Sequence, residues 1–184
     1  MTGKSHVTQN IVFAGIFAET MFWIDRTATS EGLISFKDNV VSFFFDTDMS
    51  KAVYIPLCII LYLFGALLPD IDHPYSALGK FIHLPLKHRT WTHAIWPPLI
   101  FAVIGIWYRF MMWLAIGYFM HLFWDMFSKS GLMWFYPCKA KVRIGLYRAG
   151  ESSEYIIDGI MLAIFLIYTF VVMNNVFHLI NIEF

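Results

Sequence analysis

Residues 52–69 read AVYIPLCIILYLFGALLP, eighteen consecutive residues without a charged side chain. A helix needs about 20 predominantly apolar residues to cross the hydrocarbon core of a bilayer. The stretch therefore predicts a membrane-spanning helix, Ala52–Pro69. An acid, Asp70, follows it directly, so the chain passes from apolar to ionisable residues within one position.

The composition of the whole chain agrees with a membrane protein. Of its 184 residues, 59% are hydrophobic and 14% are charged, whereas soluble domains carry about 25% charged residues. The formal net charge is zero, so we expect no nucleic-acid partner. Two cysteines, Cys58 and Cys138, form no CxxC pair, which argues against a thiolate zinc site or a disulfide framework.

Four further apolar runs predict helices, at Val7–Ile24, Ala94–Tyr108, Phe110–Phe127 and Gly159–Ile180. With Ala52–Pro69 they predict an all-α fold, a polytopic bundle of about five transmembrane helices in one integral membrane domain over residues 1–184. Glu19 interrupts the first run and no small-residue cleavage site follows, so we expect an uncleaved helix rather than a signal peptide. Residues 25–51 predict a polar connection with a short amphipathic piece at residues 40–45.

The distribution of basic residues predicts the orientation. With five spans, the N-terminus and the loops at 70–93 and 128–155 share one side of the membrane. That side carries nine basic residues: Lys4, Lys80, Lys87, Arg89, Lys129, Lys139, Lys141, Arg143 and Arg148. The other side carries four: Arg26, Lys37, Lys51 and Arg109. Because cytoplasmic loops are enriched in Lys and Arg, we expect a cytoplasmic N-terminus.

A polar loop, LLPDIDHPYSALGKFIHLPLKHRTWTH at residues 67–93, joins the second and third spans. It contains six ionisable side chains of the kinds that bind metal: Asp70, Asp72, His73, His83, His88 and His93. Such groups are costly at a membrane boundary unless they pair, line an aqueous cavity or bind an ion, and mixed imidazole and carboxylate ligands suit zinc, manganese and iron. The alternative for the two acids is a polar turn that caps the next helix.

The fourth span carries a second pair of candidate ligands. His121 and Asp125 are four residues apart, which places them on one helix face. The alternative is a His–Asp hydrogen bond between helices. Gly117 and Ser128 extend this face with small residues, as a closely packed helix requires.

Three residues outside these clusters have two interpretations each. Arg89 is a candidate for gripping an anionic oxygen, or it faces lipid headgroups. Glu154 is a ligand, a general base, or a glutamate that the dipole of a following helix favours. His6 is a ligand or part of a solvated terminus. Thr90 and Thr92 are candidates for orienting the ligands.

All of these candidate site residues fall on the same predicted side of the membrane, which indicates one shared site.

The stretches LLPDIDHPYSALG, HRTWTHA, GYFMHLFWDMFSKSG and YPCK–GESSE resemble the YdjM-like, membrane-bound, metal-dependent hydrolases of bacteria. The resemblance implies a bacterial inner-membrane location. It also implies a functional polar set of nine residues: His6, Asp70, Asp72, His73, His88, His93, His121, Asp125 and Glu154.

The expected function is metal-assisted hydrolysis of an ester or phosphoester, lipid or lipid-linked, at the cytoplasmic membrane face. More candidate ligands than one ion needs predict two or three ions of zinc or manganese, and the inventory is similar to that of zinc-dependent phospholipase C. We expect Asp72 or Glu154 to be the general base and Arg89 to stabilise negative charge. The alternatives are a metal-ion or proton-coupled transporter and a non-catalytic membrane protein with a structural metal. The sequence leaves the oligomeric state open.

Overall fold

A computed structural model describes residues 3–27, 31–45, 48–82 and 87–177. Within these residues the fold is helical, and the only β-type pairing is two isolated bridges. The described residues form six α-helices: α1 (Gly3–Thr27), α2 (Glu31–Phe45), α3 (Lys51–Leu67), α4 (Trp96–Trp107), α5 (Phe110–Met126) and α6 (Ser152–Phe177). Two short 3-10 turns, Leu68–Asp72 and Trp91–His93, lie in the loop between α3 and α4.

Each of the five predicted apolar runs falls on a helix, which confirms the all-α prediction. The fifth helix of the prediction begins earlier than expected, at Ser152. The end of the predicted run Gly159–Ile180 lies outside the described residues. The connection between the first two runs differs from the prediction because most of it forms α2.

Two helical segments, Lys51–Asp72 and Ser152–Asn175, are long and apolar enough to cross a membrane. The α4 helix is apolar but has only 12 residues, about 18 Å at 1.5 Å per residue. A bilayer core is about 30 Å thick, so α4 cannot cross it alone. The described residues contain two candidate membrane-spanning helices. That the chain crosses the membrane five times stays a prediction.

The α3 and α5 helices approach each other closely through glycine. An ideal Cβ built at Gly117 would lie 1.9 Å from the carbonyl oxygen of Tyr62, and one at Gly65 would lie 2.2 Å from that of Leu114. Small residues at such crossings let helix backbones come into contact. The predicted close packing at Gly117 is confirmed, and it holds the C-terminal ends of α3 and α5 side by side.

Polar contacts join α1 to α6 along the bundle. Gln9 Nε2 donates to Asp158 Oδ1 at 2.6 Å, and Thr169 Oγ1 donates to Glu19 Oε1 at 2.8 Å. The start of α1 is also tied to α3, because Tyr62 Oη donates to the carbonyl oxygen of Asn10 at 3.0 Å. These contacts hold α1 against α6 and against the C-terminal half of α3.

The segment between α5 and α6 folds back over the end of α5. Ser128 pairs with Tyr147 and Leu132 with Val142 through the isolated bridges. Tyr147 Oη donates to the carbonyl oxygen of Trp124 at 2.7 Å. Burial raises the pKa of the Tyr147 phenol, so the hydroxyl stays protonated and keeps this hydrogen bond. The loop therefore forms a fixed cover at one end of the bundle.

Candidate metal centre

The predicted ligands meet at one end of the helical bundle. His6 lies near the start of α1, and Asp70 lies in the turn that ends α3. His93 precedes α4, while His121 and Asp125 lie in the last turns of α5. Helix ends that are far apart in sequence thus supply side chains to one place, as the sequence predicted.

Four residues form the centre of this cluster. His93 Nε2 lies 3.4 Å from Asp70 Oδ1 and 3.7 Å from Asp125 Oδ2. His121 Nε2 lies 3.7 Å from Asp70 Oδ1 and 4.0 Å from Asp125 Oδ2. Tetrahedral zinc with bonds of 2.0–2.1 Å separates its ligand atoms by roughly 3.3 Å. The spacing is therefore close to that of a metal site, with a small contraction still required.

His6 belongs to the same cluster. Its side chain is fully buried, its Nε2 lies 3.4 Å from Asp125 Oδ1, and its ring stacks on His121 at a centroid distance of 3.6 Å. The alternative of a solvated terminus is therefore wrong. His6 is thus a third imidazole that is buried against a carboxylate, Asp125. It adds a residue of α1 to the candidate ligands.

The ligand atoms form two neighbouring triples. In each triple the potential ligand atoms lie within 4.8 Å of one another. One contains His6, His121 and Asp125, and the other contains Asp70, His88 and His93. The contacts from Asp70 to His121 and from His93 to Asp125 join the two triples, so the arrangement has donors for two ions.

Several imidazole nitrogens in the cluster have no hydrogen-bond partner among the described residues, although they are buried. They are both ring nitrogens of His6, Nε2 of His93 and Nε2 of His121. Leaving a buried polar atom without a partner costs free energy, and native proteins rarely do so. The Nε2 atoms of His6, His93 and His121 lie near carboxylate oxygens. Lone pairs on these three nitrogens fit a bound divalent cation.

Hydrogen bonds orient two of these imidazoles. His121 Nδ1 lies 2.7 Å from the carbonyl oxygen of Ala66, so Nδ1 carries the proton and Nε2 keeps its lone pair. His93 Nδ1 lies 3.0 Å from Thr92 Oγ1. A partner on the second ring nitrogen is the usual way that proteins orient a metal-binding histidine. Sequence analysis missed the Ala66 carbonyl, although the last carbonyls of any helix lack partners within it.

Asp72 and Thr92 form a second layer around the ligands. Asp72 Oδ1 lies 2.7 Å from His88 Nδ1, and its Oδ2 accepts a hydrogen bond from Thr92 Oγ1 at 2.6 Å. Tyr118 Oη donates to the carbonyl oxygen of Thr92 at 2.5 Å. Both oxygens of Asp72 are thus engaged, which favours an orienting role for it. Thr92 contacts both Asp72 and His93, as its predicted orienting role requires.

Replacing Thr92 with valine tests this second layer. The hydroxyl donates to Asp72 and can accept from His93, and valine removes both contacts with little change in shape. We expect metal affinity to fall roughly 10- to 100-fold, the usual effect of losing such a partner. Competition with a chelator of known affinity measures the change. Thr92→Ser, which keeps the hydroxyl, should stay near wild type; equal loss in both variants would refute the hydrogen-bond argument.

Arg89 is turned into the protein. Its Nη2 lies 3.4 Å from Asp125 Oδ2, and its Nη1 donates to Ser128 Oγ at 3.4 Å and to the carbonyl oxygen of Gly131 at 3.3 Å. The backbone of Arg89 has a φ of 63°, a left-handed conformation that non-glycine residues adopt uncommonly and that clusters at functional sites. These contacts do not fit an arginine that faces lipid headgroups.

Besides Asp72, Thr92 and Arg89, three further predicted residues lie outside the triples. The ring of His73 is 5.1 Å from that of His88, and its Nδ1 accepts from the backbone nitrogen of Tyr75 at 3.4 Å. Glu154 is buried in the first turn of α6, where it accepts from the backbone nitrogen of Gly150 at 2.5 Å, as the helix-terminus alternative predicts. Thr90 Oγ1 donates to the carbonyl oxygen of Lys87. His83 lies outside the described residues.

Fold and site together define a helical membrane protein with a candidate cation centre at one end of its bundle. Residues 41–180 match the YdjM inner membrane protein family. The chain belongs to that family, which confirms the resemblance noted in the sequence.

Curated relatives cover part of the chain. It is 33% identical over 105 residues to the uncharacterized protein YvsG of Bacillus subtilis (strain 168), a match that covers 50% of this chain and 66% of YvsG. It is 31% identical over 106 residues to the inner membrane protein YdjM of Escherichia coli (strain K12), covering 48% of this chain and 53% of YdjM. The chain thus spans from about half to just under two thirds of these relatives. No solved structure matches it.

Proposed function

We propose that this protein is a membrane-bound, metal-dependent hydrolase that cleaves an ester or phosphoester at the cytoplasmic face of the inner membrane. The observation that carries the proposal is the convergence of His93, His121, Asp70 and Asp125 at contact distances of 3.4–4.0 Å. The partnerless Nε2 atoms of both histidines support a cation between these groups. Such a cation would compensate the negative charge of Asp70 and add to the compensation that Arg89 gives the buried Asp125.

The two triples would hold a pair of ions. The four histidines and two carboxylates of the triples, without sulfur, suit zinc, and the two carboxylates also suit manganese. Paired ions, when bound, activate water near neutral pH and stabilise the charge on the attacking and leaving oxygens.

The surrounding residues have distinct tasks in this proposal. Asp72 holds the Nδ1 proton of His88, which leaves Nε2 for the ion. Arg89 pairs with Asp125. Its guanidinium lies at the same end of the bundle as the proposed ions, where it would stabilise negative charge on the substrate. Glu154 stays a candidate general base, although its contact with Gly150 favours a role at the start of α6.

The position of the site supports the proposed orientation and substrate class. The loops at the site end carry the excess of Lys and Arg that marks a cytoplasmic face, and both candidate membrane-spanning segments end there, at Asp72 and Ser152. A site at the level of the membrane boundary favours lipid or lipid-linked substrates, with membrane lipids as its surroundings.

Hydrolysis assays on the purified full chain test the proposal. We expect turnover of at least one lipid ester or phosphoester that stops on chelation and returns with zinc or manganese. His93→Ala should abolish turnover because His93 contacts both carboxylates, whereas Lys129→Gln, an exposed change in the same region, should leave it intact. Turnover that survives His93→Ala, or that is unaffected by chelation, would contradict a metal-dependent reaction at this site.

A second candidate is a metal-ion or proton-coupled carrier, and one observation favours it. Polar pairs run along the α1–α6 interface, from Gln9 and Asp158 near the site to Thr20 and Tyr168 farther along the helices, with hydroxyl oxygens 2.6 Å apart. Pairing alone would favour helix association, but the buried Gln9 Oε1 has no hydrogen-bond partner among the described residues, which is what an ion path would use. Metal uptake into proteoliposomes that is lost in Asp158→Asn would favour the carrier.

A further inference from the structure

A cavity of about 360 Å³ opens beside the metal centre. Its lining comes from the loop before α4 and from the segment that covers the end of α5: Lys87, His88, Arg89, Ser130, Gly131, Met133, Lys139 and Lys141. Volumes of this order are typical of small-molecule sites. From the sequence, the lysines that line this cavity served only to predict the orientation of the chain in the membrane.

The lining of this cavity is strongly cationic. Three lysines and Arg89 contribute to it, and no carboxylate does among the described residues. The segment from Lys129 to Arg148 contains five basic residues and no acid. Like charges gathered around a concave surface repel one another, and their field there attracts an anion. Arg89 is already paired with Asp125, so the three lysines are the main attraction for a ligand.

Two residues connect the cavity to the candidate ligands. His88 lines the cavity and belongs to the second triple, and its side chain is 35% exposed, whereas those of the other five members are at most 14% exposed. Arg89 lines the cavity and contacts Asp125. The cavity is therefore the side from which a molecule can approach the centre.

We propose that this cavity binds a phosphate group of the substrate beside the bond that is cleaved. This inference rests on the proposed function, and it narrows the substrates to phosphorylated compounds rather than neutral esters. Several lysine ammonium groups match a phosphate dianion better than a singly charged carboxylate, because each adds a charge-assisted hydrogen bond. The ligand chemistry is the same for a lipid headgroup and for a soluble phosphomonoester.

Calorimetric titration of inorganic phosphate into the metal-loaded full chain tests this proposal. Lys139→Gln combined with Lys141→Gln removes two exposed charges from the cavity, and we expect phosphate to bind roughly tenfold more weakly. Lys129→Gln combined with Arg143→Gln removes two charges from the same segment outside the cavity and should leave the affinity within twofold. Metal content, measured in every variant, should not change.

The possible results separate this inference from the function on which it rests. A wild-type chain that binds no metal contradicts the proposed function. Normal metal content with equal phosphate affinity in wild type and the cavity variant overturns the inference, as does an equal loss in both double variants, which would indicate diffuse attraction alone. Displacement by phosphatidic acid in nanodiscs assigns the phosphate to a lipid, and displacement by glycerol 3-phosphate assigns it to a soluble ester; displacement by neither overturns the proposal.

Discussion

The combined variant His121→Ala and Asp125→Ala is expected to purify without the zinc or manganese that the wild-type chain retains. The two side chains supply two of the three donors in one triple, and each also contacts the other triple, through Asp70 and His93 respectively. Losing two of the three ligands in this triple leaves too few to hold an ion against water. Elemental analysis of protein purified in detergent measures the metal-to-protein ratio.

The control for this variant is Asp38→Asn, an exposed carboxylate on α2 in a region that supplies no ligand. It should keep the full metal content. Because the double variant leaves His6 with reduced support, its folding is checked by circular dichroism. A folded double variant with wild-type metal content would remove α5 from the centre and contradict the account.

Gly117→Ala is expected to disrupt the centre without touching a ligand. The new methyl group would lie 1.9 Å from the carbonyl oxygen of Tyr62, a distance at which α3 and α5 must separate. The atom in the way is backbone, so no side-chain rotation relieves the contact. Overpacking of this kind costs roughly 3 kcal/mol. Thermal unfolding in detergent should show lower stability, and metal affinity should fall because Asp70 moves away from His121.

Gly159 provides the matched control. It is exposed on α6, and a Cβ there would have nothing within 4 Å. Gly159→Ala should therefore be neutral or should stabilise the protein by up to about 1 kcal/mol, the helix-propensity difference. If Gly117→Ala were as stable as Gly159→Ala, the close approach of α3 and α5 would be wrong, together with the geometry that it gives the site.

The sequence predicted the helices well because apolar runs are long and uninterrupted. It predicted less well what depends on tertiary contact. Only the end of α2, the amphipathic piece at residues 40–45, was predicted. The rest was missed because its place depends on other segments: Tyr54 Oη donates to the carbonyl oxygen of Phe44, and Arg109 Nη1 donates to that of Ser42. The sequence of α2 itself does not indicate these partners in other segments. The short α4 also shows that hydrophobicity predicts a helix without fixing its length.

The same distinction holds for the site. His121 and Asp125 could be predicted because a four-residue spacing on a helix has a definite geometry. His6 had no pattern around it, and only the packing of α1 brings its ring onto His121. The sequence alone does not predict the left-handed backbone of Arg89. It also does not show that Asp72 contacts a ligand instead of joining a triple, because that depends on tertiary contacts.

X-ray absorption spectroscopy of the zinc-loaded full chain reports the atoms bound to the ion, and so it shows whether these histidines and carboxylates converge on a metal. We expect the ion to be surrounded by nitrogen and oxygen at about 2.0–2.1 Å, with imidazole scattering and no sulfur. That imidazole contribution should decrease in His93→Ala. A shell that contains sulfur at about 2.3 Å, or one without histidine, would show that the ion binds elsewhere and would contradict the convergence of these residues on a metal.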